Sequence, residues 1–184
     1  MIGAPDELRQ LFDRLFIATP ESATLRRECF IGIRAGGDRL AVRLSELAGL
    51  EKRCRVVPLP GCDPALLGLA GIRRRLVPVY DLAALLGCEG TAADDWRWVG
   101  LCWSAGLLLG LAFDMQEDFI QTASTDARSI IGKSPAREHI HEIMSVSGKA
   151  GQVQGVVSLA SILAAIAQRA RGAAAREEIG KHGA

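Results

Sequence analysis

Net charge is almost absent from this 184-residue chain, in which 22 Lys and Arg stand against 21 Asp and Glu. No overall field therefore draws it to nucleic acid or to an anionic membrane. Paired cysteines are also lacking. Cys29, Cys54, Cys62, Cys88 and Cys102 are odd in number and widely spaced, without a C-x-x-C, a pattern that suits buried thiols in a reducing cytoplasm and predicts neither a disulfide nor zinc. The first residues carry Asp6, Glu7 and Arg9 instead of the basic and apolar regions of a secretory signal, so the chain is expected to stay inside the cell. No apolar run reaches the roughly 18 residues of a membrane span. The longest, Trp98 to Phe113, is broken by Ser104, Gly106 and Gly110 and reads as two buried strands around a turn.

Catalytic grammar is missing as well. No serine sits in a G-x-S-x-G elbow, and the glycines form neither a phosphate-binding P-loop nor a strand-bound G-x-G-x-x-G. His139 and His141, on a strand, would share one face and offer two imidazoles to a metal, but no third ligand is near. Glu142 follows them without the second histidine at helical spacing that a zinc protease requires. The sequence thus predicts no catalytic residue, no metal and no cofactor. Basic clusters at Arg26 and Arg27, Lys52 to Arg55 and Arg73 to Arg75 are diluted by Glu28, Glu46 and Glu51, and read as solvated turns and strand edges ahead of a nucleic-acid surface.

What the chain does have is concentrated in Gly68 to Gly87. Leu66 to Ile72 and Leu76 to Tyr80 are β-favouring runs separated by Arg73, Arg74 and Arg75. Pro78 places the second run on an edge or at a bulge. Asp81 is positioned to cap a short helix over Leu82 to Leu86 that Gly87 closes in left-handed geometry. The pattern returns at Val156 and Val157, followed by Ser158 to Leu163, where Ser158 takes the place of Asp81. This echo predicts two similar β lobes, each ending in a helix.

Elsewhere, Leu8, Leu11, Phe12, Leu15 and Phe16 recur at helical spacing and predict an amphipathic helix over 5–17, docked on its own domain or serving as a partner-binding arm. A hairpin is expected around Gly36 and Gly37, a connector over 45–50, a strand at 55–57 and a strand at 119–122. A less regular stretch follows over 124–135, then a hairpin over 139–157 turning at 148–151. Short strands at this spacing favour barrels over a parallel sheet. At 49% hydrophobic, the chain suits one domain or two small lobes sharing a core. The expected division is an N-terminal helix and linker over 1–27, a domain over 28–167 and a tail over 168–184. Lobes at about 28–87 and 96–157 would meet at a polar seam over 87–95.

Gly68, Leu69, Ile72, Arg73, Leu76, Val77, Pro78, Val79, Asp81 and Leu82 resemble the most recognisable segment of the CheW-like chemotaxis coupling family. The likeness extends over about residues 29–167, with departures at Gly49, where that family commonly has Glu, at Gly71 for Asn, and at Arg74 for Gly. The resemblance implies a mainly β fold of two small five-stranded SH3-like β-barrel lobes with short helices. It implies a non-enzymatic adaptor that joins the regulatory domain of a CheA-type histidine kinase to the cytoplasmic tip of a chemoreceptor. Such a protein is cytoplasmic and recruited to receptor arrays, with no nucleic acid and no membrane insertion of its own. Carried over by position, Leu47, Gly68 and Arg73 contribute to the partner surface, while Val77 and Asp81 hold its shape. Plainer roles stand beside these: Leu47 as core, Gly68 as relief of backbone crowding, Arg73 as an exposed turn residue and Asp81 as a cap. Because of the departures, Arg74 is expected to give the turn another shape, and two alternatives stay open. One is an adaptor of type IV pilus motility; the other is a β-barrel module with a different partner, such as a nucleic-acid-binding protein.

Overall fold

The computed structural model describes residues 27–52, 54–60, 63–88, 96–123, 127–129, 138–145 and 153–181. The expected helix over 5–17, the thiol of Cys62, most of the 87–95 seam, most of the stretch over 124–135 and the 148–151 turn lie outside them.

β1 (Arg27–Ala35) and β2 (Asp38–Arg43) form the first hairpin, turning through Gly36 and Gly37 at φ 59° and 82°. A 3-10 turn over Leu44–Glu46 leads into β3 (Gly49–Lys52), a strand where the sequence suggested only a connector. β4 (Val56–Val57), β5 (Leu66–Ile72) and β6 (Arg75–Asp81) follow, then helix α1 (Leu82–Leu85). Next come β7 (Trp98–Ser104), β8 (Leu107–Phe113), β9 (Met115–Ala123), β10 (Ala127–Ser129), β11 (Ile140–Ser145) and β12 (Val153–Val157). Helix α2 (Leu159–Lys181) ends the described chain and carries helical geometry well past Gln168.

The strands form two six-stranded sheets, ordered β10-β11-β12-β2-β1-β9 and β3-β7-β8-β6-β5-β4. In the second sheet β3 and β4 are opposite edges, yet Lys52 and Val56 are only four residue steps apart. Those edges are thus within about 14 Å of each other at that point, and the sheet must curl. The first sheet repeats the arrangement, its edges β9 and β10 separated by four steps from Ala123 to Ala127. The two curled sheets are consistent with the SH3-like lobes that the resemblance implied, with six strands in each where five were expected.

Hydrogen bonding corrects the expected lobe boundaries. The second sheet is the continuous stretch from β3 to β8, and the first is built from β1, β2 and β9 to β12. The chain therefore crosses between sheets at residues 44–48 and at Asp114, not at 87–95. The polar stretch ends a repeat instead: hairpin, four strands, helix occurs twice, and the second hairpin, β7 with β8, pairs back onto β6. The parallel pair β6–β8 has its counterpart in β12–β2. Each half of the chain thus gives its first hairpin to the other half's sheet.

That exchange explains the core. The largest buried cluster joins Ile31, Ile33 and Val42 of the first hairpin to Leu109, Leu111 and Phe113 of the second, with Leu82, Leu85, Leu159 and Ile162 from both helices. Strand interiors alternate sides, so smaller clusters fill each sheet's own interior: Ile72, Val77, Val79, Val99 and Leu101 in one, Phe30, Ala41, Met144 and Val156 in the other. Arg43 closes the latter, its guanidinium 5.4 Å from the centre of the Phe30 ring and ion-paired with Glu28 and Glu142.

Both helix starts follow the predicted capping. Ala83 N–H donates to Asp81 Oδ1 at 2.9 Å, and Ser161 N–H to Ser158 Oγ at 3.3 Å. Gly87 takes φ +69° after α1. Glu46 adds a contact that local sequence could not announce, its Oε2 accepting from Leu159 N–H at 3.3 Å. Of the two places expected for Pro78 the edge is excluded, because β6 lies between β8 and β5; its partner Leu69 instead adjoins the register shift between Leu66 and Gly68. The missing amide of Pro78 is tolerated because the ladder to β8 begins at Val79, one residue later.

Candidate partner-binding site

The β5–β6 hairpin turns in two residues, since Ile72 pairs with Arg75. Such a turn follows the strands' right-handed twist best with both central residues at positive φ. Arg73 and Arg74 supply it at φ 48° and 63°. This corrects the expectation that Arg74 reshapes the loop: the twist forces the arginine into the conformation a glycine would take freely.

From that tip Arg73 reaches across to edge strand β3. Its Nε donates to Glu51 Oε1 at 2.9 Å, and a Cβ placed on Gly49 would meet Arg73 Nη2 at 2.6 Å. Gly49 and Glu51, two apart on β3, share a face. The carboxylate that the resemblance would place at 49 is thus supplied from 51, and Gly49 makes room for the guanidinium. Arg73 remains 54% exposed.

Beside the tip lies an apolar groove of about 510 Å³ lined by Arg55, Val57, Leu59, Leu69, Gly71 and Leu76. Its floor follows from register: Val57 opposes Leu69, Leu69 opposes Pro78, and Gly71 opposes Leu76. Gly71 adds no side chain there, which leaves the floor open. Leu76 is 76% exposed, and Leu107 at the start of β8 is 67% exposed. The parallel β6–β8 pairing brings these two strand starts to the same end of the sheet. Trp103, 51% exposed, lies under Arg75 with the guanidinium carbon 5.4 Å from the ring centre. Trp103 opposes the buried Leu108 and so projects from the other face of the sheet, which leaves the outer surface aliphatic, with Arg55 in the groove and Arg73 at the tip, a composition suited to a protein partner.

The other residues named from sequence sit beneath or beside this surface. Leu47 follows the 3-10 turn and packs, partly buried, against the shared core, its Cδ2 close to Gly100. Gly68 is buried at φ +142°, where an added Cβ would stand 2.1 Å from Val57 O. Val77 is fully buried inside the second sheet. Asp81 is half-buried at its cap; burial raises its carboxyl above the usual aspartate range, opposed by amide bonds from Ala83 and Ala84 and reinforced by Asp114. The structure thus brings Gly68, Arg73 and Val77 to one hairpin, with Asp81 at its far end and Leu47 at the inter-lobe core. Sequence reasoning missed Glu51 and the groove residues Val57, Leu59 and Leu76. A glycine two residues before a glutamate on one strand was the available signal for the first.

No group of three metal-ligating side chains occurs among the described residues. His139 and His141 do not act together: His139 lies in the turn before β11, bonded to Ser161 Oγ at 2.8 Å, while exposed His141 contacts the Glu138 carbonyl at 3.0 Å. Burial pushes the Cys102 thiol up to about 12, with Glu46 adding to the rise, so it is an unreactive core group. No helix among the described residues is long and apolar enough to cross a membrane.

Two curled β sheets with a common core and an exposed apolar, arginine-rimmed face define a two-lobed β scaffold domain. The chain belongs to the CheW-like family of coupling proteins, whose domain matches residues 30–167. Its fold is similar to the scaffolding protein TtCheW from Thermoanaerobacter tengcongensis, with a TM-score of 0.62 and 13% identity over 71% of this chain and 88% of that one. Protein PilI of Pseudomonas aeruginosa is 33% identical over 98 residues, a match that spans 51% of this chain and about half, 55%, of PilI.

Proposed function

We propose that this protein is a non-enzymatic cytoplasmic adaptor that links the signalling tip of a chemoreceptor to the regulatory domain of a CheA-type histidine kinase. The observation that carries this reading is the Arg73 fork, held through Nε by Glu51 at an exposed hairpin tip beside an open apolar groove, in a domain of the CheW-like family. Arg73 is the direct contact, while Leu47, Gly68, Val77 and Asp81 keep the hairpin and the core below it in shape. Recruitment to receptor arrays follows from binding the receptor tip. The likeness to PilI favours a receptor and kinase set that serves type IV pilus motility over one that serves swimming.

The test is capture from native cytoplasm and solubilised membranes by the intact chain and by a folded Arg73→Ala, Leu76→Ser variant. Recovery of a CheA-type kinase or a chemoreceptor by the intact chain, lost in the variant, supports the adaptor and names its pathway. Equal recovery by both places the contact elsewhere. Recovery of neither, where a known adaptor succeeds, overturns the reading.

A further inference from the structure

Phe119 is 63% exposed although it pairs in register with Ile31, which is fully buried in the shared core. Residues directly opposed on antiparallel strands project from the same face. Phe119 therefore carries the apolar surface of the shared core outward onto edge strand β9. Gln121, opposite the partly buried Cys29, extends the same face and is also exposed. We propose that residues 5–17 lie on this face as an amphipathic helix and cover Phe119.

Two features select this occupant. The chain enters the fold beside the patch, since β1 starts at Arg27 opposite Ala123 of the strand that holds Phe119. From Arg27 to Ile31 is about 13 Å along the strand, whereas residues 18–26 can span about 30 Å. The approaching segment also brings what the patch lacks. Leu8, Leu11, Phe12, Leu15 and Phe16 form an apolar stripe on a helix about 20 Å long. A helix this short is marginal in water without a surface to lie on. The tether holds it at a local concentration on the order of millimolar, which favours its own domain over a second copy. The shared core then gains a third helix beside α1 and α2.

The test is a double-mutant cycle in the full chain, combining Leu11→Ser, Phe12→Ser with Phe119→Ser and reading the thermal midpoint. Coverage predicts that Phe119→Ser lowers the midpoint by about 3 °C or more in the parent and by under about 1 °C when the stripe is already broken. Breaking the stripe should also speed amide exchange at Phe119 to Gln121. Equal effects of Phe119→Ser in both backgrounds, with unchanged exchange, overturn the proposal. Coupling that disappears on dilution also overturns it, assigning the cover to a second copy. An adaptor that binds its partners normally in every variant leaves this inference standing, because it concerns a different face from the Arg73 hairpin.

Discussion

Arg73 Nε lies 2.9 Å from Glu51 Oε1, so the tip of the β5–β6 hairpin is tied to the far edge of its own sheet. In order of pairing, two strands separate β3 from β6, and the ion pair spans the seam where the curled sheet closes. The pair is partly exposed and contributes at most about 1 kcal/mol. Arg73→Ala should therefore keep the fold and shift the thermal midpoint by no more than about 4 °C. Affinity for the proposed kinase or receptor partner should drop about tenfold or more. Titration calorimetry beside a melting curve checks both, and undiminished affinity would remove Arg73 from the partner surface.

Arg74 holds φ +63° with a side chain where the turn would accept none. Arg74→Gly should stabilise the protein by about 1 kcal/mol, since a left-handed residue with a Cβ costs about that much. A urea titration reads the gain. A loss of stability would mean that the arginine side chain makes a contact worth more than the strain.

Gly68 admits no side chain, because a Cβ would lie 2.1 Å from Val57 O and 2.9 Å from the Pro58 Cα. Gly68→Ala should cost about 2 kcal/mol or more and loosen β4 from β5. Faster amide exchange at Val56 and Val57 would show it. Weakened partner binding in such a variant reports a displaced groove wall, not a lost contact, and an unaltered exchange pattern would argue against this account.

His139 titrates below the usual histidine range because burial disfavours its charged form; Glu138 opposes that shift, while His141 and Arg169 add to it. The unfolded chain thus binds this proton more readily. The histidine's contribution to stability is present above about pH 6.5 and is lost as pH falls through the lower folded value. Unfolding free energies between pH 8 and pH 5 should decline toward acid, and His139→Gln should flatten that slope. An identical slope in the variant would assign the dependence to other groups.

Local chemistry was the legible part of this chain. Asp81, Ser158 and Gly87 act within a few residues of themselves, and their caps formed as their types predict. The β5–β6 runs, the Gly36–Gly37 turn and the repeated strand-to-helix pattern were readable for the same reason. Pairing between distant segments was not. Nothing near residue 88 shows that β7 and β8 return to β6, or that β1 lies against β9. Hydrophobic alternation gives the faces of a strand but not its neighbours. The partner of Arg73 escaped because Glu51 is 22 residues away in sequence, and the capping contact of Glu46 because Leu159 is 113 away.

The exchanged hairpins also decide how this molecule can be divided. A cut in the stretch between α1 and β7 leaves two fragments, and each holds strands of both sheets but a complete set of neither. Neither fragment can be expressed, inherited or lost as a working lobe. The lobes themselves share no strand, because the chain passes between them at residues 44–48 and at Asp114, so a pull on one lobe is resisted by the buried contacts of the shared core. That common interior, and no exchanged strand, is what makes the pair of lobes a single mechanical part.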